Sequence, residues 1–148
     1  MSPVEWLPAA TIDGELSVQA EIEMEYGFLP GMQRMQLGKT TTYVLWHYSA
    51  DQEFSHPEYL DNCLQCAGTA ECMTVELRVT HEDGTYTHWV LGREPLTGSE
   101  SERVVWDMGQ AMVHPEEVWT AEQAAPLFEQ YARERTVPDW VHRRELDI

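Results

Sequence analysis

Three cysteines are the first candidates for chemistry, because two of them form a C-x-x-C pair. Cys63 and Cys66 bracket a Leu-Gln dipeptide, and Cys72 follows six residues later. A redox pair needs its first thiol at a helix N-terminus, where the helix dipole stabilises the thiolate. We expect this pair near the C-terminal end of a helix, which argues against redox activity. A zinc site needs four ligands, and the chain offers neither a second C-x-x-C nor an H-x₃-H pair. We therefore predict no metal and no cofactor, with Cys63 packed in the core.

The six histidines are the next candidates, and they are scattered along the chain. His88 alternates with Tyr86 and Val90, which is typical of a histidine in the core of a sheet. His114 precedes Pro115 and lies near acids, so it could form an acid–base pair with Asp107 or Glu116. An acidic chain produces such pairs by chance, and no nucleophile, phosphate-binding, dinucleotide or zinc-protease motif is present. We predict that the protein is not an enzyme.

The carboxylates are the chemical groups with the most regular spacing in the sequence. From Glu15 to Tyr26 every even position is apolar or aromatic and every odd position is polar, which is a strong signal for a β-strand. Glu21, Glu23 and Glu25 would lie roughly 7 Å apart on one face, at about 3.4 Å per residue. Because like charges this close repel, the row needs cations, either from a neighbouring strand or from a partner.

The overall composition also indicates a protein that attracts cations. The chain has 148 residues, 26 acidic side chains and 9 basic ones, for a net charge of −17. A field of this sign repels nucleic acid and anionic membranes and accelerates association with basic proteins. We therefore predict no nucleic-acid partner, no membrane partner and a basic protein as the partner. The alternative is that the charge only keeps the protein soluble.

The N-terminal sequence shows no basic segment followed by an apolar one, and no apolar run reaches the ~18 residues of a membrane span. The odd number of cysteines does not suggest a disulfide framework. These features predict a cytoplasmic protein. Its length predicts one domain over residues 1–148, with residues 1–14 as a lead-in segment.

Much of the chain has sequence patterns that are typical of β-strands. Residues 40–48 are β-branched and aromatic on both faces, as expected of a central strand. Residues 72–93 predict a hairpin that turns at Asp83-Gly84, with Arg78 opposite Trp89 as a cation–π pair. Residues 94–102 predict an acidic loop, 103–108 a short strand, 109–117 a second loop and 140–148 a last strand.

Two helices complete the prediction. Ser55 and Glu58 have capping-box spacing, and Gly68 suits the end of that first helix. The second helix runs over residues 120–135, with a kink or a separated first turn at Pro126. The fold class is therefore α+β, with a single, mainly antiparallel sheet of about 5–6 strands and two main helices packed on it.

A resemblance covers roughly residues 70–148. It rests on the sequence M-T-V-E-L-R at 73–78, V-H-P-E-E-V at 113–118, T-A-E-Q-A-A at 120–125 with Leu127, Phe128 and Tyr131, and V-P and R-E-L-D at 137–138 and 144–147. This pattern resembles small acidic immunity proteins of bacterial polymorphic-toxin systems, notably those paired with deaminase-type toxins. The resemblance implies a single α+β domain that binds a cognate toxin and masks its active site.

The leading hypothesis is an immunity or inhibitor protein that neutralises a basic, nucleic-acid-acting toxin. An acidic surface complements the basic groove that such a toxin requires. Three tryptophans beside turns, at positions 6, 119 and 140, are candidate anchors. The predicted partner-binding residues are Glu21, Glu23, Glu25, Asp51, Glu53, Glu100 and Glu102.

Two alternatives remain open. The first is a small α+β enzyme or ligand-binding domain, with a pocket between sheet and helices lined by Trp46, His88 and Trp106. The second is a secretion-type chaperone. A separate question concerns the Glu row, since Arg143 and Arg144 would neutralise it if the last strand lay beside the first.

Overall fold

The computed structural model describes residues 6–17, 27–49 and 61–146. Within them, the largest element is a seven-stranded antiparallel sheet in the order β2-β1-β3-β4-β5-β6-β9. A separate hairpin, β7–β8, forms a second sheet. The strands are β1 Trp6–Ile12, β2 Glu15–Ser17, β3 Thr42–Ser49, β4 Cys63–Thr69, β5 Cys72–Thr80, β6 Tyr86–Gly92, β7 Glu102–Trp106, β8 Gly109–Val113 and β9 His142–Glu145.

The described residues contain one main helix, where the sequence predicted two. A four-residue helix α1 (Leu29–Met32), a 3₁₀ helix (Pro115–Glu117) and one long helix α2 (Ala121–Glu134) occur in the described residues. The first predicted main helix is wrong where it can be tested, since residues 63–69 form β4, and its start at 55–60 lies outside the described residues. The α+β class therefore stands, with one main helix in the described residues where two were predicted.

Helix α2 follows its sequence signals. Thr120 accepts a hydrogen bond from the Gln123 backbone, and the Gln123 side chain accepts one from the Thr120 backbone. The helix continues through Pro126, so the predicted separated first turn is absent from it. Pro126 is exposed, so water can hydrate the carbonyl that lost its partner. Arg135 ends the helix in the left-handed conformation.

One face of the sheet packs against α2 and α1 and forms the main core. Phe28, Tyr43 and Phe128 meet there through ring contacts of 5.8–6.3 Å. His47 is buried on this face with its Nε2 2.9 Å from the Ala132 carbonyl oxygen, so it ties β3 to the helix. Burial lowers the pKa of His47, and this hydrogen bond partly opposes the shift.

Several strand predictions are confirmed and others are corrected. The strand at 40–48 and the 72–93 hairpin are present, although the hairpin turns through residues 81–85 and not through a two-residue loop. Arg78 lies opposite His88 and stacks on Tyr86, while Arg143 lies over Trp89. The second loop predicted at 109–117 contains β8 and the 3₁₀ helix.

The N-terminal segment is also more structured than predicted. Within the lead-in at 1–14, Trp6–Ile12 forms β1, which pairs with both β2 and β3. Asp13 and Gly14 both adopt positive φ, at 51° and 84°, and make the tight turn between β1 and β2. Of the long strand predicted at 15–26, Glu15–Ser17 is observed and the rest lies outside the described residues.

Candidate partner-binding surface

A buried carboxylate stands at the centre of the C-terminal half. The Glu117 side chain has no exposed surface, and Arg144 donates to both of its oxygens, from Nε at 2.8 Å and from Nη2 at 3.0 Å. The His114 backbone amide donates to the same carboxylate at 2.9 Å, and His114 Nδ1 lies 3.1 Å from it. This cluster fastens the 3₁₀ helix to β9, which is the last strand of the sheet.

The charge of Glu117 is retained in spite of its burial. Burial alone raises its pKa, but the hydrogen bonds from Arg144 and His114 outweigh that effect and hold the pKa below the usual glutamate value. The same pairing raises the pKa of Arg144. The pair is therefore ionised at neutral pH, and either partner alone would be a buried unpaired charge.

The neighbouring Glu116 holds the acidic loop at residues 94–101. Its carboxylate accepts hydrogen bonds from the Thr97 backbone amide at 3.0 Å and from the Thr97 hydroxyl at 2.7 Å. These bonds lower the pKa of Glu116. At the start of the loop, the Arg93 guanidinium donates to the carbonyls of Pro115 and Val118. The loop is thus attached to residues 115–118 at its start, through Arg93, and at its middle, through Thr97.

The loop presents acids that the rest of the structure leaves largely free. Glu94 and Glu100 keep 63% and 52% of their side-chain surface exposed, and Glu102 at the start of β7 is also exposed. Glu94 lies 3.7 Å from Arg93, and Glu100 lies 3.9 Å from Arg144. Such distances and exposures indicate weak surface pairs. Both arginines have their closer hydrogen bonds elsewhere, so these carboxylates can accept further cations.

Two exposed apolar side chains flank the same end of the β6–β9 ladder, where Gly92 pairs with His142. Leu96, in the acidic loop, packs over Gly92: a methyl group added there would meet Leu96 Cδ2 at 3.5 Å. Trp140 is 57% exposed and lies two residues before β9, with its ring 6.3 Å from the buried Trp119. An exposed tryptophan supported by a buried one is a suitable anchor for a partner.

We call this set of residues the acidic surface. It is defined by Glu94, Leu96, Glu100, Glu102 and Trp140. Glu100 and Glu102 are the two predicted site residues that the structure places here. The other five, namely Glu21, Glu23, Glu25, Asp51 and Glu53, lie outside the described residues. Sequence reasoning missed Glu116 and Glu117 as the residues that hold the surface, although the V-H-P-E-E-V sequence contains both.

Internal neutralisation of the glutamate row required the last strand to lie beside the first, and the described part of that first strand, β2, does not meet this condition. Strands β2 and β9 lie at opposite edges of the sheet, with five strands between them. Arg144 binds Glu117, and Arg143 lies over Trp89. Neither arginine is placed to neutralise a strand at the β2 edge.

The structure also locates the histidine and cysteine candidates for chemistry. His114 is hydrogen-bonded to Glu117 in a structural role, while the Glu116 carboxylate is hydrogen-bonded to Thr97. Cys63 and Cys66 belong to a strand and point to opposite faces, into separate apolar clusters, so they cannot form a redox pair. Burial raises the pKa of Cys63 to about 12. The described residues contain no group of three or more ligands that could hold a metal ion.

The pocket predicted between sheet and helices has no counterpart among its described lining residues. Trp46 and His88 lie on the sheet face away from α2, and Trp106 belongs to the β7–β8 hairpin. His88 Nε2 lies 2.7 Å from Glu76 Oε1, so its role is that of a paired, buried histidine. Of the three candidate anchors, Trp119 is core, Trp6 stacks under Arg135 and Trp140 is the most exposed.

Comparison of the chain with protein-family models, curated proteins and solved structures found no match. In the described part of the chain, no helix has the length and apolar character needed to cross a membrane.

Proposed function

We propose that the protein is a non-enzymatic immunity or inhibitor protein that binds a basic cognate toxin and masks its active site. The observation that carries the proposal is the acidic surface, where exposed carboxylates stand on a loop that buried charges hold in place. A loop that is already ordered loses little conformational entropy on binding. An acidic surface that serves only solubility has no need of such attachment.

The chemistry of this surface favours a cationic protein. Glu94, Glu100 and Glu102 provide charge that steers a basic partner and pairs with its arginines or lysines. Leu96 and Trp140 provide apolar area, which contributes most of the affinity once water is excluded. The net charge of −17 extends the attraction beyond the surface itself.

A toxin that acts on nucleic acid is the partner class that best matches this chemistry. Its active site must bind phosphates and is therefore basic. A protein with an acidic loop and an apolar anchor can occupy such a groove and exclude the substrate. The resemblance of residues 70–148 to immunity proteins paired with deaminase-type toxins supports the same assignment. The cytoplasm, where an incoming toxin would act, is the compartment that fits this role.

The test first determines whether the adjacent gene encodes a secreted protein with a toxin-like C-terminal domain, and then mixes that domain with this protein. We expect a tight 1:1 complex, loss of toxin activity, and association that slows steeply as salt rises. The variant E100K/E102K should slow association at least about tenfold. The control E82K/E134K makes the same change in net charge at two exposed acids, one in the β5–β6 turn and one at the end of α2, and its effect should be much smaller.

Two further variants test which residues form the binding site. W140A should accelerate dissociation, because it removes the anchor and leaves the charge unchanged. E21K/E23K/E25K tests the predicted glutamate row. Equal effects of E100K/E102K and its control would reject the acidic surface as the site, and a complex that forms equally well at high salt would reject the electrostatic proposal.

A further inference from the structure

The outer edge of the β7–β8 hairpin has an unusual composition for an exposed strand edge. Strand β8 is Gly109–Val113, with the sequence G-Q-A-M-V, and it contains no charge and no proline. Exposed edges normally carry charged residues, prolines or bulges that prevent pairing with another chain. The edge strand β9, with the sequence H-R-R-E, follows that rule. Strand β8 does not.

The pairing within the hairpin decides which backbone groups point outward. Trp106 and Gly109 close a two-residue turn, so they form a hydrogen-bonded pair, and the hydrogen bonds then alternate along the ladder. The amides and carbonyls of Gln110 and Met112 therefore point away from β7. Among the described residues, no backbone group bonds to them.

The two edges of the hairpin differ. On the β7 side, the Arg103 carbonyl accepts a contact from the Cys72 thiol at 3.9 Å, and Val104 is buried against Gly68. The β7 edge therefore faces the β4–β5 turn. The β8 edge faces away from it, and the neighbouring side chains Val105, Met108 and Met112 are 39%, 90% and 46% exposed.

The distribution of charge along the chain indicates which molecule pairs with the exposed edge of β8. Residues 103–115 contain one arginine and one aspartate, so this segment is neutral in a chain of net charge −17. A basic partner is attracted to acidic parts of the chain and gains nothing from a neutral edge next to Arg103. A second copy of the chain is repelled nearly everywhere by like charge, but least where the segment is neutral.

We propose that β8 pairs with β8 of a second copy, antiparallel, about a two-fold axis at Ala111. This arrangement places Gln110 of each copy opposite Met112 of the other. Because both residues have outward backbone groups, each such pair exchanges two hydrogen bonds, and the dimer gains four. The axis falls between the small Ala111 side chains. The two hairpins then form one four-stranded sheet with an isologous interface.

Sedimentation velocity over roughly 5 to 500 µM protein tests the proposal, because so small an interface should give a micromolar dimer. A concentration-dependent shift from monomer to dimer is expected. Hydrogen exchange then supplies residue resolution: the Gln110 and Met112 amides should become slower to exchange as concentration rises. The Ala111 amide, which bonds within the hairpin, should be protected at every concentration.

A matched pair of variants tests the register. Q110E/M112E places like charges opposite each other across the two-fold axis, whereas Q110K/M112E places opposite charges there. Both variants carry the same M112E change opposite Arg103 within the hairpin, so the hairpin itself is equally stable at that position. We expect Q110E/M112E to weaken dimerisation about tenfold or more and Q110K/M112E to preserve it.

A monomer at every concentration, with no change in the exchange of Gln110 and Met112, would overturn the proposal. So would protection of these amides by a toxin partner alone. Equal dimerisation of the two double variants would reject pairing about Ala111. The proposal is separate from the inhibitor function, since E100K/E102K leaves β8 unaltered and the β8 variants leave the acidic surface unaltered.

Discussion

The acidic surface and the β7–β8 hairpin are held to the same sheet by different forces. Charged groups hold the first, since Glu117 binds Arg144 and Glu116 binds Thr97. Packing and neutral donors hold the second, since Val104 is buried and the Asp107 backbone amide bonds to the Thr41 hydroxyl. The contribution of the Glu117–Arg144 pair should therefore respond to pH, whereas the contribution of the buried Val104 side chain should not.

Loss of the Glu117 charge should have the largest effect. E117Q leaves the Arg144 guanidinium without its buried counter-charge, and we expect the free energy of unfolding to fall by about 3 kcal/mol. Chemical denaturation measures the change. E122Q, at an exposed helix position, is the matched control and should change stability by less than about 0.5 kcal/mol. Equal stability of E117Q and the wild type would mean that the ion pair contributes nothing.

The pH dependence of that difference follows from the direction of the Glu117 shift. Its folded-state pKa is lowered, so its contribution is fully present above the unfolded-state pKa of about 4.3 and is lost as pH falls through the lower folded value. The gap in unfolding free energy between wild type and E117Q should therefore shrink as pH falls below about 4.3. Unfolding curves from about pH 7 to about pH 3 measure it, and a constant gap would contradict the assignment.

Loss of a buried side chain in the hairpin should reduce the free energy of unfolding without any change of charge. V104A removes two methyl groups from a fully buried position, and we expect a loss of about 2 kcal/mol. The loss should be the same at neutral and at acidic pH, because no ionised group takes part. V105A, at the exposed neighbouring position, is the control and should have little effect on the monomer. A V104A effect that varies with pH in the manner of E117Q would remove the contrast between the two regions.

The smallest effect concerns the turn of the hairpin. Asp107 Oδ1 accepts a hydrogen bond from the Gly38 amide at 2.8 Å, in an exposed position. D107A should cost about 0.5–1 kcal/mol, because water replaces much of an exposed hydrogen bond. Hydrogen exchange at the Gly38 amide reports the loss directly. M108A, one residue further along the turn, serves as the control.

Sequence predicted the elements whose signals are local. The helix over 120–135 has both residues of its capping box, and the 72–93 hairpin has alternation on both strands. A helix was predicted over β4 because Gly68 suits a helix end, whereas Gly68 has φ 133° within a strand pair. The β1–β2 hairpin was detectable, since Asp13-Gly14 carries the same turn signal as Asp83-Gly84. The acidic character of residues 94–102 was also local, and the prediction of Glu100 and Glu102 as binding residues rests on it.

The sequence by itself determined the charge of this protein, its β-rich character and the helix over residues 120–135, because these depend on composition and on short-range periodicity. Only the tertiary structure decided that β2 and β9 lie at opposite edges and that Arg144 binds Glu117. Both facts depend on strand order and on contacts between distant residues, which no local pattern encodes. Which side chains form the acidic surface and which backbone groups of β8 point outward are likewise properties of the fold, and the proposed inhibitor and dimer depend on them.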